Sequence, residues 1–274
     1  MNLGEIIKEL GRPCRIEVLE VLCCQPANLT KIHESLRKRG CNISISGLVR
    51  CLNKLVKLRI VEKIDDGCYC ITGLGALIYD VLFRMDDLMN WKEIIEDALE
   101  LMAILPTELK LGLSNLGKAE TVWDQYAIVK MAFEAAINAR RWGKYIDRLV
   151  DYEVFRLMIR NNLKGVDEKV ISSTDTLQSR IETFIKALKD EGLDRDEIEY
   201  VKRKVEVRVL DLPFQLGVID GEIALFQILK GDKIPPAFVS KDRDFVKWAE
   251  MIFDHFWKIA KPVRIPFERV LESF

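Results

Sequence analysis

The sequence predicts an α+β protein with a small N-terminal domain, a linking helix and a larger α/β domain built on a central sheet. The first 80 residues combine helical apolar spacing with one hairpin, whereas the residues after 106 alternate helical stretches with short strands. Apolar residues make up 49% of the 274 positions, and this length exceeds the usual size of a single core. We therefore expect domains at 1–82 and 107–274, joined by a linker or dimerisation helix at 83–106.

Two short helices open the chain. The first, which Gly11 ends, has apolar residues at helical spacing, namely Leu3, Ile6, Ile7 and Leu10. Pro13 suits the first turn of a second helix, because its missing N–H would have no helical partner there, and Gln25-Pro26 ends that helix. The apolar stripe of the second helix consists of Ile16, Leu19 and Leu22.

A third and a fourth helix follow. Thr30 can cap the third helix, and Gly40 terminates it after Ile32 and Leu36. Ser44 or Ser46 caps the fourth helix, whose core-facing stripe comprises Ile45, Leu48, Leu52, Leu55 and Val56. The opposite side lacks large apolar residues and consists of Ser46, Gly47, Arg50, Asn53, Lys54 and Lys57.

A hairpin completes the first domain. Residues 60–64 alternate, Asp65-Asp66-Gly67 turns the chain, and residues 68–72 alternate back. Helix, turn, helix and hairpin is the order of a winged helix-turn-helix. In that arrangement one face of the fourth helix closes the core, the other is free to enter the major groove of DNA, and the hairpin forms a wing beside it.

Positive charge is concentrated on the same segment. Residues 30–63 include nine basic and two acidic residues, a balance of +7 in a chain of net charge −1, so the remainder carries −8. A basic run alone is usually a solvated face, but in this context it indicates a phosphate-binding site. We expect contacts to base edges or adjacent phosphates from Ser44, Ser46, Arg50, Asn53 and Lys54, and contacts to the DNA backbone from Lys31, Lys57, Lys63 and Tyr69.

The runs "RIEVLEVL", "NLTKIHESL", "ISGLVRCLNKLVKLRIVEK" and "CYCITGLG" are similar to the winged helix domains of archaeal transcription regulators of the ArsR-like type. In those proteins Leu-x-x-Leu ends the recognition helix, Leu-Val begins the next strand, and Leu-Thr-x-x-Gly ends the wing. The residues that match these patterns are Leu52 with Leu55, Ile60-Val61, and Ile71-Thr72 with Gly75. Arg59 departs from the pattern, since many relatives carry glycine there. The resemblance covers about residues 10–80 and implies binding of double-stranded DNA.

All seven cysteines fall within the first 70 residues: Cys14, Cys23, Cys24, Cys41, Cys51, Cys68 and Cys70. We expect them to be small buried hydrophobes, since free cysteine is among the most buried residue types. A redox sensor or a metal site is the alternative. Cys68 and Cys70 would lie on one face of a strand, but their spacing is not the Cys-x-x-Cys of structural zinc sites.

An apolar stripe over residues 86–105 predicts the linking helix, which ends at Pro106. The stripe consists of Leu88, Trp91, Ile94, Ile95, Ala98, Leu99 and Met102. The stripe packs either on its own chain or on a second copy, because spacing does not reveal whose core it joins. Together with Leu3, Ile6, Ile7 and Leu10, it predicts a homodimer whose two recognition helices span two half-sites.

The sequence of the larger domain predicts helices that alternate with strands around a central sheet. Helices are expected at 121–141, 151–163 and 175–189, and strands at 170–172, 205–210, 214–219, 223–228 and 237–240, with Asp220-Gly221 as a hairpin turn. Ser240 or Asp242 caps a last helix. Its buried stripe comprises Phe245, Trp248, Ala249, Ile252, Phe253 and Phe256.

This half, from "LPTELKLGL" through "VIDGEIALFQI" to "FVSKDRDFVKWAEMIFDHFWKIAKPV", resembles the C-terminal domain of archaeal regulators related to the methanogenesis regulatory protein. That domain is similar to one half of a phospholipase-D-type fold, as it also is in the TrmB-type sugar regulators. The resemblance implies a non-catalytic domain for effector binding or assembly.

The residues needed for several kinds of catalysis are missing from the sequence. A working phospholipase-D-type enzyme needs His-x-Lys, yet Ser35 follows two places after His33 and Trp257 two places after His255, and there is no third histidine. Gly73 and Gly75 follow the wing without Gly-Lys-Ser/Thr. We therefore expect no enzyme, no cofactor and no metal. Asp242 and Asp244 are interpreted as helix caps and Asp220 as a turn residue, while Trp123, Tyr126, Trp142 and Tyr145 either line a ligand pocket or belong to the core.

Together these features predict a cytoplasmic, sequence-specific transcription regulator of archaeal type that binds DNA as a homodimer and responds to a small effector in its second domain. No stretch reaches the roughly 18 uncharged apolar residues of a membrane span. The first alternative is a winged helix protein that contacts other proteins in an assembly. The second, disfavoured alternative is a phosphodiesterase-like enzyme.

Overall fold

The structure is a computed structural model that describes residues 3–64, 67–90, 99–229 and 236–271. The chain divides into two compact units, residues 1–86 and 87–274. Both units combine helices with β-sheet, so the α+β class is confirmed. The role of 83–106 as a separate linker stays a prediction.

The first unit has the order of elements of a winged helix-turn-helix. Its elements are α1 (Leu3–Leu10), α2 (Arg15–Cys24), β1 (Ala27–Asn28), α3 (Leu29–Lys38), α4 (Ile45–Lys57), β2 (Val61–Lys63), β3 (Cys68–Ile71) and α5 (Gly73–Asn90). The short strand β1, which sequence patterns did not reveal, pairs antiparallel with β3 and completes a sheet of order β1-β3-β2. This sheet closes one side of the core formed by α2, α3 and α4.

Most predicted core positions of the first unit are buried, including Leu19, Leu22, Ile32, Leu36, Leu48, Leu52 and Leu55. Ile16 was predicted inside, but it is 42% exposed because the stripe of α2 centres on Val18, about 200° around the helix from Ile16. Ile45 is 58% exposed. It is the first residue of α4, where a side chain leans past the end of the helix rather than over a preceding turn.

The capping of α3 also differs from the prediction. The side chain of Asn28, not Thr30, accepts a hydrogen bond from the N–H of Lys31, 3.0 Å away. Asn28 has extended backbone and directly precedes the helix, whereas Thr30 already lies in its first turn.

The second unit is built on one mixed sheet. Its helices are α6 (Leu99–Ile104), α7 (Thr107–Leu111), α8 (Gln125–Ile137), α9 (Tyr152–Leu163), α10 (Leu177–Asp190), α11 (Arg195–Lys204), α12 (Arg243–Ile259) and α13 (Glu268–Leu271), with a 3-10 helix at Gly112–Lys118. Its strands are β4 (Glu120–Val122), β5 (Trp142–Asp147), β6 (Asp167–Ser172), β7 (Val205–Val209), β8 (Phe214–Ile219), β9 (Ile223–Ile228), β10 (Ala237–Ser240) and β11 (Lys261–Val263).

Within the described residues these eight strands follow the order β11-β7-β6-β5-β8-β9-β10-β4. Strands β5, β6 and β7 run parallel, and every other neighbouring pair is antiparallel. One face of the sheet packs on α12, whose six predicted stripe residues are all buried. The opposite face carries α8, α9 and α10.

Several bounds in this unit match the predictions. Strands β8, β9 and β10 begin and end where expected, and Asp242 caps α12 by accepting from the N–H groups of Asp244 and Phe245. The expected helix at 121–141 is wrong at its start, because β4 occupies residues 120–122 and α8 begins only at Gln125. Strands β5 and β11 and helix α11 were not predicted.

The predicted stripe of the linking helix is only partly described. Trp91, Ile94, Ile95 and Ala98 lie outside the described residues, as do the side chains of Leu88 and Leu99. In and after α6, Leu101 and Leu105 are buried in the core of the second unit, and Met102 packs against that core. This end of the stripe therefore packs on its own chain.

Candidate nucleic-acid interface and ligand cavity

Helix α4 is held in place at its first turn. The side chain of Ser44 caps the helix by accepting from the N–H of Gly47, 3.1 Å away. One residue earlier, the carbonyl oxygen of Ile43 lies 2.9 Å from Nε2 of His33 in α3. His33 is half-buried, because it bridges the turn between the two helices.

The face of α4 opposite the core is polar, basic and open to solvent. Leu48, Cys51, Leu52 and Leu55 are fully buried on the inner face. The outer face exposes Ser46, Arg50, Asn53, Lys54 and Lys57, which share one side because they recur at helical spacing. The Nε of Arg50 donates to the carbonyl oxygen of Ser46 at 3.4 Å. Ser44 is also exposed, but its Oγ atom already serves the cap.

The predicted backbone-contacting residues divide between surface and core. Lys31 is exposed in the first turn of α3, and Lys63 is exposed on β2. Tyr69 was predicted to contact DNA, but its side chain is only 8% exposed. It is paired with Ala27 of β1 and belongs to the core, so the unpredicted strand removes it from the exposed surface.

The chain leaves α4 through a strained residue. Arg59 has a φ of 54°, in the left-handed region that favours glycine, and the next N–H, that of Ile60, donates to the carbonyl of Leu55 at 3.0 Å. This is the position where the resembled family often carries glycine. With arginine instead of glycine at this position, the chain still leaves the helix in the same way, but the backbone of Arg59 is strained.

The predicted Thr-x-x-Gly motif joins the wing to α5. Thr72 Oγ1 donates to the carbonyl of Arg59 at 2.7 Å and accepts from the N–H of Gly75 at 3.0 Å. A Cβ on Gly75 would lie 2.0 Å from the carbonyl oxygen of Ile60. Glycine is therefore required where α5 crosses the start of β2.

The cysteines do not share one environment. Cys41 and Cys51 are buried, Cys14, Cys68 and Cys70 are half-buried, and Cys23 and Cys24 are exposed, so the expectation of seven buried hydrophobes is wrong for the exposed pair. Burial raises the pKa of Cys41 to about 12, with contributions from a hydrogen bond to Cys14 and from the charge of Glu17. Burial also raises the pKa of Cys51 to about 11, against the opposing charge of Arg15.

The second unit has a cavity of about 380 Å³ on the sheet face opposite α12. Strands β5, β8 and β9 form its floor, and α8 and α9 form its other walls. Apolar side chains dominate the lining, for example Ile128 and Met131 of α8 and Ile219 and Leu225 of the sheet. A volume above 300 Å³ with a few polar groups is typical of small-molecule sites.

A buried carboxyl group lies beyond the cavity on the same sheet face. Glu168 of β6 is 1% exposed, and its Oε2 atom has no hydrogen-bond partner. Burial raises the pKa of Glu168 to about 8, although a hydrogen bond with Asn162 acts in the opposite direction. At neutral pH this side chain is therefore largely protonated.

Asp220 is more than the turn residue that was predicted. It is buried and has a φ of 55°, and its carboxylate accepts from the N–H groups of Arg140, Arg141 and Trp142 at 2.7–2.9 Å. Burial would raise the pKa of Asp220, but these three hydrogen bonds and the charge of Arg141 hold it below its usual value. The contact ties the β8–β9 turn to the start of β5.

The four predicted aromatic residues separate. Trp123 and Tyr126 are 69% and 78% exposed, and Trp142 packs against the core beneath α12. Of these four, only Tyr145 lines the cavity, and burial raises the pKa of its hydroxyl well above the usual value.

Two further residues considered in the sequence lie on α12. His255 is half-buried with its ring edge-on to Phe256, and Asp244 is 2.5 Å from Lys118.

Within residues 3–64, 67–90, 99–229 and 236–271, no group of three or more His, Cys, Asp or Glu side chains is arranged to hold a metal ion. In the same ranges, no helix is long and apolar enough to cross a membrane.

Comparison with known proteins gives structural matches only. No family model matches the chain, and no curated protein does. Among solved structures, the chain is similar to TrmBL2, an archaeal chromatin protein described with a novel mode of DNA binding, at 18% identity and a TM-score of 0.42, over 96% of this chain and 95% of that one.

Two methyltransferases also match. They are the riboflavin-derivative dimethyltransferase RosA from Streptomyces davawensis, at 12% identity and a TM-score of 0.26, and the S-adenosylmethionine-dependent methyltransferase SibL, at 14% identity and 0.28. Each match covers 76% of this chain and 64% or 63% of the other. These matches contradict the prediction that the chain is not an enzyme, and that exclusion is withdrawn. At these TM-scores they assign no reaction to the chain.

Proposed function

We propose that this protein is a sequence-specific, DNA-binding transcription regulator whose second unit binds a small effector. The observation that carries the proposal is the outer face of α4, which exposes Arg50, Asn53 and Lys54 on a helix whose inner face is fully buried. A helix held in this way can enter a major groove without losing core contacts. Chromosomal DNA as the ligand would place the protein in the cytoplasm.

Within this proposal, α4 reads base edges and its neighbours hold phosphates. Arg50 and Lys54 lie one turn apart, so both reach the same stretch of groove, while Ser46 and Asn53 supply neutral polar contacts. Lys57, Lys31 and Lys63 contact the backbone. Ser44 takes part through the N-terminus of α4, since its hydroxyl caps the helix.

The proposal includes a homodimer, because a single recognition helix reads only a few base pairs and two copies can span half-sites about 34 Å apart. Support comes from apolar side chains of the first unit that remain exposed. Leu77, Val81 and Met85 recur every four residues along α5 and are 52–65% exposed, and Leu3 and Ile7 of α1 are 71% and 62% exposed. Ile6 and Leu10, also predicted at the interface, are buried in the unit's own core.

The test of DNA binding begins with selection of bound fragments from genomic DNA, including the region upstream of the protein's own gene. The double variant Arg50→Ala, Lys54→Ala should bind the selected fragment at least tenfold more weakly, because each base contact contributes about 1–3 kcal/mol. The control is Lys247→Ala, Lys258→Ala, which removes the same charge from exposed positions on α12. Wild-type affinity in the α4 variant would refute the assignment.

The test of the dimer is sedimentation of the full chain at micromolar concentration. The wild type should sediment at about twice the chain mass of 31.6 kDa. Leu77→Asp with Val81→Asp should give monomers with weaker DNA binding, whereas Ile137→Asp, an exposed apolar position in the second unit, should stay dimeric. A monomeric wild type that protects a single half-site would exclude the dimer.

A further inference from the structure

The cavity of the second unit is polar at one end because of strand register. Gln215 of β8 is the Cα partner of Gln227 of β9, and Asp147 of β5 is the partner of Ser172 of β6. Asp147 and Gln215 are also neighbours, since they adjoin the paired residues Ile146 and Leu216. Four adjacent strands therefore carry a row of polar side chains, of which Asp147, Gln215 and Gln227 line the cavity.

The charge at this polar end is positive. Arg180 lies 3.1 Å from Asp147, so these two side chains neutralise each other. Arg148 also lines the cavity, and its guanidinium donates to the backbone carbonyl of Leu212 at 3.1 Å. A carbonyl dipole does not neutralise a guanidinium. The charge of Arg148 also acts on Asp175, but Asp175 is not part of the lining, and the charged side chains that line the cavity sum to +1.

A further donor lies on the helix that forms the opposite wall. Gln125 begins α8, lines the cavity, and has a buried Nε2 atom without a hydrogen-bond partner. A buried donor without an acceptor destabilises the fold, so a ligand oxygen that accepted from it would recover that free energy. The lining of this cavity therefore includes both a cation and an unused N–H group.

The rest of the cavity is apolar and loosely closed. Beyond the polar row its floor continues with Tyr145, Gly217 and Ile219, and its opposite wall continues along α8 with Ala132 and Ala136. Only Ile128 of α8 is buried, although the helix is apolar on most of its surface. Additional apolar contact from a ligand would thus be gained without displacing a well-packed core.

We propose that this cavity binds a small carboxylate with an apolar body. The carboxylate lies at the polar row, where Arg148 supplies charge and Gln125 supplies an N–H donor, and the body lies against Tyr145 and the alanines of α8. This inference rests on the proposed function in treating the second unit as the effector-binding part, and it defines the chemical class of that effector.

The test uses octanoate as the probe, titrated into the full chain by calorimetry, with octanamide and acetate as comparators. Octanoate should bind saturably at one site per chain. Octanamide should bind at least tenfold more weakly because it carries no charge, and acetate should show no measurable binding because it has no apolar body. Equal affinity for octanoate and octanamide, or no saturable octanoate binding, would overturn the proposal.

Variants locate the site. Arg148→Gln should weaken octanoate binding at least tenfold while leaving the weaker octanamide affinity unchanged, which also reports that the variant is folded. Arg243→Gln is the matched control, because it makes the same change at an exposed position at the start of α12. If Arg148→Gln does not fold, Gln125→Leu should likewise weaken octanoate binding. Unchanged octanoate affinity in either folded variant would refute the site.

The outcomes separate this inference from the proposed function. Octanoate binding by a protein that binds no DNA would support the cavity site and refute the regulator. DNA binding by a protein that binds no octanoate would refute the cavity site alone.

Discussion

His33 and Ile43 are joined across the turn between α3 and α4, with Nε2 of His33 2.9 Å from the carbonyl oxygen of Ile43. A carbonyl only accepts, so Nε2 must carry the proton and the ring donates. The contact lies immediately before the Ser44 cap of α4. It therefore fixes where the helix that we assign to the DNA groove begins.

Replacing His33 by leucine should lower the free energy of unfolding by about 1 kcal/mol, the usual contribution of one hydrogen bond. It should also weaken DNA binding, because the start of α4 loses its tie to α3. Urea unfolding and a gel-shift titration of the full chain measure the two effects. His255→Leu, the same change at the other histidine, is the control and should leave DNA binding unchanged.

Glu168 predicts a pH dependence of stability. An unfolded glutamate has a pKa near 4.5, whereas burial in the native state raises the pKa of Glu168 to about 8. Between these values the native chain holds a proton that the unfolded chain has lost, so the free energy of unfolding falls as pH rises from about 4.5 to 8.

Glu168→Gln should remove this part of the slope and should be more stable than the wild type at pH 8, by roughly 4 kcal/mol. Urea unfolding at several pH values measures it. Glu206→Gln, at an exposed position on β7, should keep the wild-type slope. A Glu168→Gln variant with an unchanged slope would mean that the native carboxyl group is ionised.

Arg59 predicts a stabilising substitution. Its φ of 54° costs a side chain roughly 1–2 kcal/mol that glycine does not lose. Arg59→Gly should therefore raise the free energy of unfolding by about 1 kcal/mol, after the greater flexibility of glycine in the unfolded chain is subtracted. Arg59→Ala is the matched control: it removes the same charge but retains a Cβ, and urea unfolding should find no gain.

The thiols predict an order of chemical labelling. Cys23 and Cys24 are exposed, while Cys41 and Cys51 are buried with pKa values of about 12 and 11. Because the thiolate is the reactive form, iodoacetamide at neutral pH should modify the exposed pair first and leave Cys41 and Cys51 unmodified until the chain unfolds. Peptide mass spectrometry after timed quenching measures the order. Rapid labelling of Cys51 in the folded protein would contradict the burial.

The elements that could be predicted from the sequence are those specified by neighbouring residues in the chain. The bounds of β8 and β9 could be predicted because two strand-like segments flank the Asp220-Gly221 turn. The start of α12 could be predicted because Asp242, a residue type that caps helices, directly precedes it. Strand β5 was missed although it is central to the sheet. Lys144 and Asp147 make it look polar, and the acidic partners of Lys144, Glu250 and Asp254, lie more than 100 residues away.

The candidate DNA site was predicted in the same uneven way. Arg50, Asn53 and Lys54 are exposed because helical spacing decides which face they share. Tyr69 was misassigned because its burial depends on the two-residue strand β1, which is too short to have a pattern. Tyr145 was one of four aromatic residues predicted either to line a ligand pocket or to belong to the core, and it lines the cavity. The polar row of the cavity could not be predicted, since it exists only through the register of four strands.

The close approach of Gly75 to the Ile60 carbonyl joins the start of α5 to the exit of α4. Helix α4 ends at Lys57, and the first turn of α5 is clamped only three residues further along, at the backbone of Ile60. Helix α5 has 18 residues, a length of about 27 Å. Under the proposed function, a displacement at the far end of α5 would therefore be passed to α4, because no flexible loop separates the two helices.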